Sequence, residues 1–177
     1  MNSIECSTSL LKIKKTTRLQ CLHGCLHYKK NPMCPPSCPD IDWFKQLIES
    51  YQKVNVLFEI IEFADKTDLI NKKNIFQNEA IKIERKLKRE GNYYALCFAA
   101  GPCAMCVKDN NCSLSECSRV LVGRTPVCAT GVDLMHLSTE IMKLSKDDSL
   151  SYWIPILSNN YFDELKNKYL CLCLVFY

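Results

Sequence analysis

Glycine is scarce in this chain, five residues in 177. A dinucleotide or phosphate loop needs several glycines at fixed spacing, and neither such a loop nor a nucleophile elbow nor a His-Glu zincin motif occurs. Long apolar runs are missing as well: no window approaches the roughly 18 uninterrupted residues of a membrane-spanning helix. Met1 to Leu11 carries no positive stretch followed by an apolar run and a small-residue cleavage site, so it does not read as a signal peptide. The formal net charge is only +4. Its lysines are scattered, with no basic block, and nucleic acid is not indicated. Together these absences predict a cytoplasmic protein with no membrane attachment, in a compartment that keeps thiols reduced.

What is present is an ordinary globular composition, 47% apolar and 24% charged, with an extraordinary number of cysteines. A chain of this length fits one domain over residues 1–177 and can bury a core without disulfide staples. Thirteen cysteines are therefore not needed for packing, and an odd total fits complete disulfide pairing poorly. Nine of them fall in two loop-like segments, 21–39 and 101–128. Reduced thiols grouped this tightly read as metal ligands or redox groups.

The first loop contains Cys21, Cys25, Cys34 and Cys38, with four prolines and a glycine between Cys21 and Pro39. Two cysteines three residues apart can converge on one centre when the intervening chain turns, and Gly24 eases that turn. Cys34 and Cys38 are each followed by proline, as at the last cysteine of bacterial ferredoxin runs, and proline stiffens the backbone beside the ligand. His23 and His27 either flank the ligands or join them in a Cys/His zinc site, a spacing that zinc allows. The second loop opens at Gly101-Pro102-Cys103 and continues through Cys106, Cys112 and Cys117. Its C-x2-C start is the common thiolate clamp of zinc and iron–sulfur sites. A thioredoxin-type redox pair would not need the two cysteines that follow. Arg119 and Arg124 either pair with acidic groups or offset thiolate charge and bind an anion. Cys97, Cys171 and Cys173 sit in apolar strands and read as core. Cys6 reads as part of a frayed terminus, and Cys128 belongs to no tight pair.

Periodicity supplies the frame. Residues 10–20 alternate weakly, as an edge strand would. Asp40 can cap a helix carrying Trp43, Phe44, Leu47, Ile48 and Tyr51. Val54–Phe63 reads as a buried strand. Residues 68–90 form an amphipathic helix with Phe76, Ala80, Ile83 and Leu87 on one face, closed by Gly91. Tyr93–Ala100 reads as a second strand, 133–145 as a helix, 152–157 as a short apolar piece, 160–168 as a helix, and Tyr169–Tyr177 as a last central strand. Strand, long helix and strand in succession predict a right-handed βαβ unit. The expected fold is thus α/β (or α+β): a small, mostly parallel sheet with helices packed on it and two cysteine loops.

The run Cys21-x3-Cys25-x2-Tyr28-x-Lys30-Asn31-x2-Cys34-Pro35-Pro36, followed by Gly101-x-Cys103-x2-Cys106, Cys117, Arg124, Ala129, Gly131 and Asp133, resembles a bacterial and archaeal family. That family, domain of unknown function 2284, is described as predicted metal-binding proteins, and the resemblance runs from about residue 15 to 177. It implies three cysteines in the first motif, so Cys38 is an addition. Asp109 stands where the family has a third cysteine after the C-x2-C pair, with Cys112 three residues on, and Cys128 replaces a usual glutamate.

The ligands expected are Cys21, Cys25, Cys34 and Cys38 in one loop and Cys103, Cys106, Cys112 and Cys117 in the other. They would hold one or two [4Fe–4S] clusters, with zinc as the alternative. Three roles follow. An iron left open by three-cysteine ligation would take a small molecule or sulfide, for redox or sulfur chemistry. Fully ligated clusters would relay electrons to a redox or biosynthetic partner protein. Zinc would hold the loops as a structural or interaction module. No residue is identified as catalytic.

Overall fold

A computed structural model describes residues 1–106, 112, 117–145 and 167–177. Four strands, β1 (Asn2–Ser7), β2 (Lys53–Glu62), β3 (Leu96–Phe98) and β4 (Lys168–Phe176), form one sheet in the order β1-β2-β4-β3. The helices are α1 (Lys15–Leu22), α2 (Ile41–Glu49), α3 (Lys66–Arg89) and α4 (Leu134–Ser145), with 3-10 turns at Thr8–Leu10 and Val127–Thr130.

All three ladders are antiparallel, which corrects the expected mostly parallel sheet. β2 and β3 each run antiparallel to β4, so they share a direction and α3 does cross over between them. They do not touch as partners, because β4 lies between them. Strand, helix and strand do follow one another in the chain, but the two strands are not partners. Nothing local announces that a later segment will insert, although YLCLCLVFY is apolar on both alternating sets, as a central strand must be.

Those two sets serve two cores. Val54, Val56, Phe58, Phe98, Leu172, Leu174 and Phe176 meet Phe44 and Ile48 of α2 and Leu137 and Ile141 of α4. Phe98 stands edge-on to both Phe44 and Phe176, with 5.5 Å between centroids in each pair, an arrangement that suits the ring quadrupoles. On the other face Leu57, Cys97, Cys171, Cys173 and Val175 pack on Phe76 and Ala80 of α3. The three strand cysteines are buried as expected.

Helix ends follow their capping residues. Asp40 accepts from the Trp43 amide at 2.9 Å and Asp65 from the Asp68 amide at 2.9 Å, satisfying donors that a helix start leaves open. Gly91 takes φ +100° beyond α3. Other expectations shift. Residues 10–20 are not an edge strand: they hold most of α1, and only Ile13 bridges Val132. The edge strand is β1, with Cys6 paired to Val54 rather than frayed. Tyr93 and Tyr94 are exposed and outside β3, which is three residues long. Leu144, near the end of α4, is exposed. The apolar piece at 152–157 and most of the helix expected at 160–168 lie outside the described residues, and Lys168 opens β4.

β3 is paired along Leu174–Phe176 only. Past Phe98 the chain leaves β4, Ala99 bridges Pro126, and Gly101 comes against Tyr169. The second cysteine loop therefore starts beside the first turn of residues in β4. Among the described residues, no helix is long and apolar enough to cross a membrane.

Candidate metal centre

The first loop leaves the last turn of α1, where Cys21 is buried. His23 ends the helix and Gly24 follows with φ +135°, a conformation that glycine adopts without a Cβ clash. Asn31 is buried and its Oδ1 accepts from the Met33 amide at 3.0 Å. The Cys38 amide donates to the Cys34 carbonyl at 3.3 Å, one helical turn that puts these two buried thiols on a common side. Arg18 binds the far end: Nη1 donates to the Pro39 carbonyl at 2.5 Å, and Nη2 reaches the Cys38 carbonyl at 3.4 Å and Cys38 Sγ at 3.7 Å. Cys25 is exposed.

A fifth thiol joins this group. Cys128 lies on the 3-10 turn that packs against α1 and so comes near Cys21. Interaction with Cys128, with the Arg18 cation against an opposing effect of burial, draws the Cys21 thiol down to about 7. The reciprocal interaction and burial push Cys128 up. Burial takes Cys34 up to about 12 and raises Cys38. Cys21, Cys34 and Cys25 all lie close enough to act on Cys128. His27 is pulled down by burial and by Lys73, Lys30 and Lys66; its charged surroundings are ammonium groups.

The second loop is anchored by α3. Gln77 is buried; its Nε2 donates to the Ala100 and Pro102 carbonyls at 3.1 and 3.2 Å, and its Oε1 accepts from the Ala104 amide at 3.2 Å. Asn74 Nδ2 adds a bond to the Ala104 carbonyl at 3.1 Å. Two turns further along this face, Glu84 accepts from Arg124 Nε and Nη2 at 2.9 and 3.0 Å, Lys88 Nζ at 2.7 Å and the Cys97 amide at 3.1 Å. Burial alone would raise its carboxyl, but the Arg124 and Lys88 bonds hold it below its ordinary value. Arg124 is thus the partner of a buried carboxylate, the first of the two roles its position suggests. Arg119 Nη1 donates to the Met105 carbonyl at 3.1 Å.

Cys103, Cys106, Cys112 and Cys117 line a cavity of about 290 Å³ with Arg119 and, from the first loop, Met33. The Cys112 thiol is raised first by the protein around it, then by Cys106, Cys103 and Cys117. Gly123 closes the wall. A Cβ there would stand 2.9 Å from Cys117 Sγ and 3.1 Å from Met33 Cε, so a side chain would displace the contact between the loops. Among the described residues, no three His, Cys, Asp or Glu side chains converge to the distances of a bound ion; these four thiols surround a space instead.

Between the loops lies Lys73, whose Nζ is 5.0 Å from the Tyr169 ring centroid. Burial lowers its pKa, while Cys171, Cys128, Cys173 and Cys34 act in the opposite sense. A Cβ on Gly101, which has φ +70°, would come 2.7 Å from Tyr169 Oη and 3.1 Å from Lys73 Nζ.

A family model described as predicted metal-binding protein, domain of unknown function 2284, matches residues 5–147. The chain belongs to this family. Both cysteine loops fall inside the matched segment, whereas β4, which supports them, lies beyond it. No match was found among curated proteins or among solved structures. Several residues that carry the family resemblance have structural work here: Gly131 takes φ +87° against Ile13 and Ile41, and Asp133 pairs with Lys14 at 2.6 Å while accepting from the His136 amide. Gln77, Asn74 and Glu84 were missed by sequence reasoning. The available signal was polar residues on the same stripe as Phe76 and Ala80, where an amphipathic helix should be apolar.

Proposed function

We propose that this family member holds thiolate-ligated iron–sulfur clusters, one in each cysteine loop, and serves in redox or sulfur chemistry with a partner protein. The observation that carries this reading is that four cysteines line the second-loop cavity together. Zinc–sulfur bonds of about 2.3 Å draw four thiolates together around a single ion. A volume of about 290 Å³ exceeds that need several-fold, a liquid water occupying about 30 Å³, and suits a cluster of several atoms. The donor set also fits: four thiols, no carboxylate or histidine among them, with Arg119 beside them to oppose the negative charge of thiolate ligation.

A bound iron–sulfur cluster would supply one-electron chemistry. The chain's own contribution is legible in the geometry. Gln77 and Asn74 fix the entry of the C-x2-C pair, the Glu84–Arg124 pair fixes the exit of the loop, and Gly123 lets Met33 shield it. Ligation deprotonates the thiols, so loading releases protons, and the thiols held high by burial release theirs only when metal arrives.

Anaerobic purification followed by iron, zinc and acid-labile sulfide counts tests the proposal. Iron and sulfide in comparable amounts, with broad absorption near roughly 400 nm that bleaches on reduction, are expected for such centres. A colourless chain carrying zinc and no sulfide would establish the structural-module reading instead.

A further inference from the structure

Met33 belongs to the first cysteine loop by sequence and to the second by contact. We propose that the second metal centre is built by both loops, with the turn Asn31 to Cys34 as one of its walls, so that metal bound in either loop tightens the binding of metal in the other. The inference rests on the reading of both loops as metal centres.

The contact is direct. Asn31, Pro32 and Met33 line the cavity that the four second-loop cysteines surround. Over Gly123 the two loops meet: Met33 Cε and Cys117 Sγ both lie within 3.1 Å of the place a Cβ would take there. Only a residue without a side chain leaves room for the two together. Gly123 is itself held, its amide donating to the Arg119 carbonyl at 2.8 Å. Arg119 in turn reaches the Met105 carbonyl, and both residues line the same cavity.

The same turn is tied to a first-loop thiol. The Met33 amide donates to Asn31 Oδ1 at 3.0 Å, and the amide of the next residue, Cys34, donates to the Asn31 carbonyl at 3.2 Å. At the base of the turn the Lys29 amide donates to the Pro35 carbonyl at 3.0 Å. Asn31 is 6% exposed and Cys34 4%, so neither shifts without moving packed neighbours. A movement of the Cys34 sulfur therefore passes through one short, closed turn to the methyl that rests beside Cys117.

Linkage supplies the consequence. Metal held through Cys34 fixes the turn, and the second loop then closes against a wall already in place, with less left to order. Coupling of this kind is reciprocal, so the second centre strengthens the first by the same factor. One shared wall should give about tenfold, inside the usual range of roughly 5–150-fold.

The test uses the full chain and Zn²⁺ alone as probe, an ion that thiolates bind whatever the native centre is. Equilibrium competition with a chelator gives the affinity of each loop. In a chain carrying Cys21→Ser and Cys25→Ser, which leaves the turn untouched, the second loop should bind Zn²⁺ about tenfold more weakly than in the native chain. In a chain carrying Cys103→Ser and Cys106→Ser the first loop should weaken by the same factor. Binding at the remaining loop of each chain shows that the fold survives. With Met33→Ala added throughout, the affinity of either loop should no longer depend on the other. Gly123→Ala, which crowds Met33 and Cys117 without removing a thiol, should reduce the coupling too. Equal affinities in the one-centre and native chains overturn the coupling, and coupling undiminished by Met33→Ala overturns its assignment to this wall. A first loop that takes no Zn²⁺ in any chain removes the metal reading of that loop, and the inference with it.

Discussion

Glu84 is a carboxylate that the protein has made indispensable by burying it. Four donors reach it, two from Arg124, and removal of either partner strands the other. Arg124→Ala should cost about 3–5 kcal/mol, the loss typical when one half of a buried ion pair is left, measured as a fall in denaturation midpoint. The pH dependence has a definite sign. Because the folded carboxyl titrates below its ordinary value of 4.5, Glu84 contributes stability that is present above 4.5 and lost as pH falls through the lower folded value. Glu84→Gln should flatten that acid limb in pH-dependent unfolding, and an unchanged limb would show that other groups set it. Lys73 makes a different contribution. With the proposed iron–sulfur cluster loaded, replacing its cation by methionine should shift the reduction potential of that cluster negative, on the order of 60 mV for a tenfold change in a one-electron equilibrium, in spectroelectrochemical titration.

At the scale of elements, α3 works as a clamp as much as a core helix. Gln77→Leu leaves the Ala100 and Pro102 carbonyls and the Ala104 amide without their partner, each orphaned group costing about 1–3 kcal/mol. The expected result is faster metal loss from the second loop with helical content unchanged, measured by chelator competition and circular dichroism. The helix itself was legible from Phe76, Ala80, Ile83 and Leu87, and its clamp was not, because Gln77 and Glu84 look like ordinary polar positions until their partners from 97–124 are in place. Likewise the cysteine spacings marked both loops, while the approach of Cys128 to Cys21 depends on a turn delivered from far along the chain. The 3-10 turn and the bridge from Ile13 to Val132 have no periodic signature to read.

For the whole molecule, the split between two loops and one sheet predicts how stability is distributed. The paired strands β2 and β4 are buried on both faces, and among the described residues the loops carry few regular hydrogen bonds. Stripping metal should therefore raise amide exchange across 21–38 and 101–128 while β2 and β4 stay protected, as expected of locally rather than globally coupled regions. Uniform loss of protection would mean that metal is required for the sheet itself.

The insertion of β4 between β2 and β3 also sets an order in time. Every cysteine of both loops is synthesised before Lys168–Phe176, yet Tyr169 backs Gly101 and β4 carries both neighbouring strands. A ribosome-bound chain thus exposes its whole complement of ligand thiols while the platform that spaces them is incomplete. Metal binding at the two loops should then follow the zipping of the last strand into place.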